Sequence, residues 1–143
     1  MMLPRIAYRK ASSIEQALEL HTEFSGNALY LSGGTDLVPR VKLRLAKAEA
    51  LVDLKGIEEL QTVEQVDEWI RIGAMARIYD LMRHPLVTEY APAFQASLEA
   101  TSCETLQMRG TIGGNLLQNT RCLFYNQSEF WRKSKGFCLK LGG

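Results

Sequence analysis

Apolar and polar residues follow two different rhythms along this chain. In the first third, short continuous apolar runs alternate with stretches of helical spacing. Residues 5–8 read as a first strand, and residues 28–31 and 51–54 as compact buried ones. Between the first two runs, Ile14, Ala17, Leu18 and His21 share one helical face. Ser12 opens that helix as N-cap of a capping box with Glu15, and Gly26-Asn27 closes the unit. Leu37, Val41 and Leu45 mark a second helix, with Arg40, Lys42, Arg44 and Lys47 on its other faces. The order β-α-β-α-β predicts a small, mainly parallel α/β layer. Further on, residues 61–64 and 69–73 alternate like half-buried strands, with the acidic stretch 65–68 as a hairpin turn. Residues 77–82 and 93–100 read as helices punctuated by Pro85 and Pro92. The change of rhythm predicts an α/β (α+β) chain in two lobes, residues 1–57 and residues 58–143.

Composition narrows the function classes. A length of 143 residues suits one domain or two small lobes sharing a core. With 17 basic and 16 acidic residues the net charge is +1, which gives no electrostatic case for nucleic acid or an anionic membrane. The apolar runs fall far short of the ~20 residues of a spanning helix. Met1 to Arg5 lacks the apolar centre of a signal peptide, so a cytoplasmic location is expected. Three widely spaced cysteines, Cys103, Cys122 and Cys138, are not a disulfide framework. The last residues resemble neither a closing helix nor a closing strand, and the chain reads as the N-terminal part of something longer.

The candidate chemistry lies in a repeated phrase. Leu31-Ser32-Gly33-Gly34-Thr35-Asp36-Leu37 and Thr111-Ile112-Gly113-Gly114-Asn115 each place Gly-Gly after an apolar run and before a small polar residue. Backbone amides bared by glycine bind phosphate oxygens. Two such loops could hold the two halves of a dinucleotide pyrophosphate. Alone, each has a plainer reading, as a tight turn with Asp36 as N-cap or with Asn115 bonding local backbone. Neither matches the G-x-G-x-x-G or P-loop fingerprint. Cys122 and Cys138 read as ordinary thiols or as half of a four-ligand site that this chain alone cannot complete. Cys103 reads as buried filler beside a helix, and His21 and His84 as partly buried or surface residues in helical patterns. The cluster Phe124-Tyr125-Asn126-Gln127 with Phe130-Trp131-Arg132 suits either loop packing or a partner interface. No hydrolase arrangement stands out.

Ser32-Gly33-Gly34-Thr35-Asp36-Leu37-Val38-Pro39 and Thr111-Ile112-Gly113-Gly114-Asn115-Leu116 resemble the two FAD-binding loops of the flavin subunit of molybdenum hydroxylases, the xanthine dehydrogenase and carbon monoxide dehydrogenase group. Residues 118–132 look like those of the β subunit of 4-hydroxybenzoyl-CoA reductase. The resemblance implies a PCMH-type FAD-binding fold that continues beyond residue 143. It implies that Leu31 to Leu37 and Thr111, Gly113, Gly114, Asn115 and Gln118 contact FAD. It also implies partners, a [2Fe–2S] small subunit and a molybdopterin large subunit. In that branch a loop, here starting at residue 119, carries a [4Fe–4S] cluster, and Cys122 and Cys138 fall where two of its four cysteines belong. The function implied is electron relay between an external donor or acceptor and those subunits. The alternative is a non-catalytic, truncated flavin-domain module acting in subunit interaction. For the chain as it stands, weak or absent FAD and no intact cluster are expected.

Overall fold

The three early apolar runs pair as one parallel sheet. A computed structural model of the chain describes residues 2–120, 122, 124–125 and 127–137. Strands β1 (Ala7–Lys10), β2 (Ala28–Leu31) and β3 (Ala50–Asp53) lie in the order β1-β3-β2, with Ala50 opposite both Ala7 and Ala28. β3 is buried along its whole length, which is why it reads as an unbroken apolar run. The predicted β-α-β-α-β order is the one formed, although β1 begins two residues later than its sequence pattern suggests.

The crossovers correct two details. Helix α1 (Ile14–Glu23) is capped by Ser13, not Ser12: the Ser13 hydroxyl accepts from the Gln16 amide at 3.1 Å, and Gln16 Oε1 accepts from the Ser12 amide at 2.7 Å. Starting there turns Ala17, Leu20 and Phe24 onto the sheet and leaves Leu18 exposed. Helix α2 (Leu37–Lys42) stops early, with Arg44 in the left-handed region at φ 60. Its buried face ends at Val41, and Leu45 is exposed. The first core is built of small residues, Ala11, Ala17, Ala28 and Ala50, around Val52 and Ile57.

Strands β4 (Val63–Val66) and β5 (Trp69–Ile72) form the expected antiparallel hairpin, turning at Asp67 with φ 53. Helices α3 (Ile78–Leu81), α4 (Pro85–Tyr90) and α5 (Pro92–Glu99) follow. Pro85 and Pro92 open helices instead of interrupting them, because a first-turn residue has no amide to lose. The short α4 escapes the sequence reading for that reason. Short helices α6 (Glu104–Gln107), α7 (Ile112–Leu116) and α8 (Glu129–Ser134) complete the described residues. A second core joins Ala76, Ile78, Leu81, Met82, Val87 and Leu98 to the inner face of the hairpin at Val63 and Ile72. Cys103 is exposed before α6, not buried filler.

One buried carboxylate sits at the carboxyl end of the central strand. Asp53, 1% exposed, accepts from the Tyr8 hydroxyl, from the Lys55 amide at 2.9 Å and from Lys55 Nζ at 2.7 Å. Lys55 Nζ also reaches the Ser32 carbonyl at 3.4 Å, tying β3 to the segment after β2. Burial pushes the Asp53 pKa up, but hydrogen bonds from Lys55 and Tyr8 and the Lys55 charge outweigh it, and the carboxyl titrates below its ordinary value. The same bond raises the Tyr8 pKa. A depressed folded pKa contributes stability above the unfolded value of about 3.9 and loses it as pH falls through the folded value. Asp53→Asn is expected to cost about 2 kcal/mol near neutral pH. Urea unfolding should show that gap narrowing as pH falls into the carboxylate range; a gap independent of pH would refute the assignment.

Candidate functional site

A cavity of about 490 Å³ opens between the segment following β2 and the segment running from α6 into α7. That is within the usual size of a small-molecule site. One wall is Ser32, Gly33, Gly34, Thr35, Asp36 and Leu37; the facing wall includes Thr111, Gly113, Gly114, Asn115 and Gln118. The fold therefore brings together residues some eighty positions apart that the sequence singled out. Leu31, grouped with them, is buried in the sheet and is not part of the lining; its carbonyl accepts from the Leu54 amide at 3.0 Å.

The two Gly-Gly phrases do not do the same job. After β2 the chain is a loop, and Gly34 has φ 77, a conformation costly for a side-chain-bearing residue. The amides of Gly33, Gly34 and Thr35 donate to no acceptor among the described residues. The second phrase is not a loop but the first turn of α7, and its amides are engaged. Ile112 donates to Ala76 O and Gly113 to Ala74 O, each at 2.9 Å. Gly114 donates to the N-cap hydroxyl of Thr111 at 3.2 Å, and Asn115 to Thr111 O at 2.9 Å. Its contribution to the cavity is shape and side-chain amides, not a second row of free N–H groups.

Close approach explains its glycines. A Cβ on Gly114 would lie 2.7 Å from Ser32 Oγ, and one on Gly113 2.7 Å from Ala74 O. A Cβ on Gly33 would drive into the Arg109 carbonyl oxygen. At Gly33 the walls meet backbone to backbone, and at Gly114 the backbone meets the Ser32 side chain, each too closely for a Cβ.

Asp36 precedes α2 but its side chain makes no capping bond. Its carboxylate instead accepts from Gln118 Nε2 at 3.3 Å and lies 3.8 Å from Arg40 Nη1. Arg40 also lines the cavity, and its Nε is buried without a hydrogen-bond partner. Sequence reading placed Arg40 off the apolar face of its helix, with no role at the site; its i+4 spacing from Asp36 was the available signal.

The remaining candidates lie elsewhere. Cys122 is half-buried and its Sγ accepts from the Tyr125 amide at 3.3 Å; Cys138 lies outside the described residues. Among the described residues no three His, Cys, Asp or Glu side chains converge as a metal site. The three cysteines of the sequence do not fit a four-thiolate cluster. Phe124 packs edge-on against Trp131, and Arg132 donates to the carbonyls of Tyr125 and Gln127, while Phe130 is 84% exposed. His21 stacks on Tyr30, and His84 accepts from the Leu86 amide. No helix among the described residues is long and apolar enough to cross a membrane.

A family described as the FAD binding domain in molybdopterin dehydrogenase matches residues 4–126. The chain belongs to this family. It is 33% identical over 116 residues to the carbon monoxide dehydrogenase medium chain of Hydrogenophaga pseudoflava, covering 81% of this chain and 40% of that one. The aldehyde oxidoreductase FAD-binding subunit of Escherichia coli is 35% identical over 104 residues, 71% of this chain and 32% of that one. Among solved structures, carbon monoxide dehydrogenase from Hydrogenophaga pseudoflava superimposes with a TM-score of 0.79 at 33% identity, covering 81% of this chain and 40% of that chain. Quinoline 2-oxidoreductase from Pseudomonas putida 86 gives 0.78 at 28% identity, covering 81% and 40%. The chain thus spans about 40% of the length of the relatives it matches most strongly. FAD is the cofactor of this family, and the site fits it: three unpaired amides and a cation border a cavity of ligand size.

Gly33→Ala is expected to destabilise the fold by about 3 kcal/mol or more, since overpacking against rigid backbone cannot relax through a side chain. Gly26→Ala, at φ 80 with open space around it, should cost only about 1 kcal/mol. Thermal unfolding of the two variants checks the contrast; equal losses would contradict the close-approach reading.

Proposed function

We propose that this chain is the flavin-holding part of an electron-relay subunit in a molybdopterin-containing oxidoreductase of the 4-hydroxybenzoyl-CoA reductase type. Its lobes are residues 1–57 and 58–143. The observation that carries the reading is the row of unpaired amides at Gly33, Gly34 and Thr35 on a cavity wall, in a chain whose residues 4–126 match an FAD-binding family. The likeness of residues 118–132 supports the narrower branch.

Bound FAD supplies the redox chemistry. The chain's own residues hold it. Gly33, Gly34 and Thr35 donate their amides to diphosphate oxygens, an arrangement that needs no long helix dipole behind it; α2 has only six residues. Leu31 and Leu37 flank that wall, and Asp36 fixes it to Gln118. Thr111, Gly113 and Gly114 shape the opposite wall, where Asn115 and Gln118 offer side-chain amides. No side chain at the site serves as acid, base or nucleophile. The partners are a [2Fe–2S] small subunit and a molybdopterin large subunit, in the cytoplasm. In a longer protein Cys122 and Cys138 would supply two of the four thiolates of a [4Fe–4S] cluster. Exposed Leu116 and Leu117, at 76% and 88%, favour a second role for this face in subunit contact.

The test is titration of the chain with FAD, followed by flavin fluorescence. Weak, saturable binding is expected, with less than one flavin per chain after purification. No binding of FAD or ADP at millimolar concentration would refute the site. A yellow protein carrying stoichiometric flavin would refute the weakness.

A further inference from the structure

Arg40 is the one buried polar side-chain group among the described residues that finds no hydrogen-bond partner. Its side chain is only 21% exposed, and its guanidinium makes no hydrogen bond to any described residue. Its one acidic neighbour, Asp36 Oδ2, stands at 3.8 Å, beyond hydrogen-bond reach, while Oδ1 of the same carboxylate accepts from Gln118. A donor stripped of water, as Nε is here, is costly to leave unmade, while the terminal nitrogens of the fork keep solvent access. Arg40 lines the same cavity as Gly33, Gly34 and Thr35, whose amides are unbonded among the described residues.

That corner of the cavity is rich in donors. Three amides and a guanidinium lack acceptors, and the nearby carboxylate is already engaged by Gln118. The complementary ligand group is an anion with several acceptor oxygens spread over more than one centre, which describes a diphosphate better than a single carboxylate. A planar guanidinium meets phosphate oxygens two at a time, so it orients as well as attracts. We infer that Arg40 is a further binding residue of the cofactor site, its guanidinium clamping the diphosphate that the Gly33–Thr35 amides cradle, with Asp36 positioning it. This rests on the FAD reading above and assigns to a side chain what that reading left to backbone.

Isothermal titration of the chain with ADP and, separately, with adenosine tests it in the wild type, Arg40→Gln and Arg40→Lys. ADP carries the diphosphate and adenosine does not. Arg40→Gln should weaken ADP by about tenfold or more and leave adenosine unchanged, because a charge-assisted bidentate contact is lost. Arg40→Lys, which keeps the charge but not the fork, should fall between. Thermal stability should stay level or rise in Arg40→Gln, since a buried unpaired donor is removed. Equal ADP affinity in wild type and Arg40→Gln would overturn the assignment while leaving the FAD site standing. Parallel loss of ADP and adenosine would assign Arg40 a structural role instead. A wild-type chain that binds ADP no better than adenosine would sink the diphosphate site and this inference with it. Should Arg40→Gln fail to fold, the ratio of ADP to adenosine affinity in Arg40→Lys decides: unchanged from wild type, it overturns the clamp.

Discussion

Everything at this site depends on two close approaches that only glycine backbone allows. Gly33 lies against the Arg109 carbonyl, and Gly114 against the Ser32 hydroxyl, at separations where a Cβ on either would collide. Packing this tight leaves no room for adjustment, since folded interiors carry few voids and respond to even one added carbon. It sets the width of the cavity and holds the loop after β2 in a conformation whose amides have nothing else to bond. The Asp36–Gln118 hydrogen bond and the Lys55 contact to the Ser32 carbonyl secure the same loop from its other sides.

Unsatisfied groups then become informative. Native structures pair nearly all their buried donors. Among the described residues, the buried side-chain donor that lacks a partner, Arg40 Nε, lines the same cavity as the three unbonded amides of Gly33, Gly34 and Thr35, and all four are donors. Such a corner is poor at holding itself together and well suited to receiving an anion. The contrast with the other wall is physical: Thr111 caps α7 and absorbs the Gly114 amide, so that segment is self-sufficient.

Much of the parallel layer was legible in the sequence because its central strand is buried on both faces, and continuous apolar runs follow from that. Glycine pairs were legible too, but only as an unusual backbone requirement. Whether that requirement is φ, as at Gly34, or approach, as at Gly33 and Gly114, depends on which distant segment lies opposite, and no local pattern encodes it. The same holds for Arg40, whose neighbours on the cavity wall come from other elements. Errors at α1 and α2 are of another kind. Ser12 and Ser13 offer competing caps with competing partners, Glu15 and Gln16, and tertiary burial of Leu20 and Phe24 decides between them. Proline misled at α4 because its meaning reverses between the first turn of a helix and its interior.

The central strand of the sheet is the last of the three in the chain. β1 and β2 never bond to each other; each bonds only to β3. Until residue 53 is in place, both flanking strands are single strands with no partner, and the loop after β2 hangs from an unformed edge. Order at the Gly33-Gly34 turn therefore requires the pairing of β2 with β3, a contact that closes a loop some twenty residues long. Any change that weakens β3, even one far from the cavity wall, loosens the strand from which the site's loop departs.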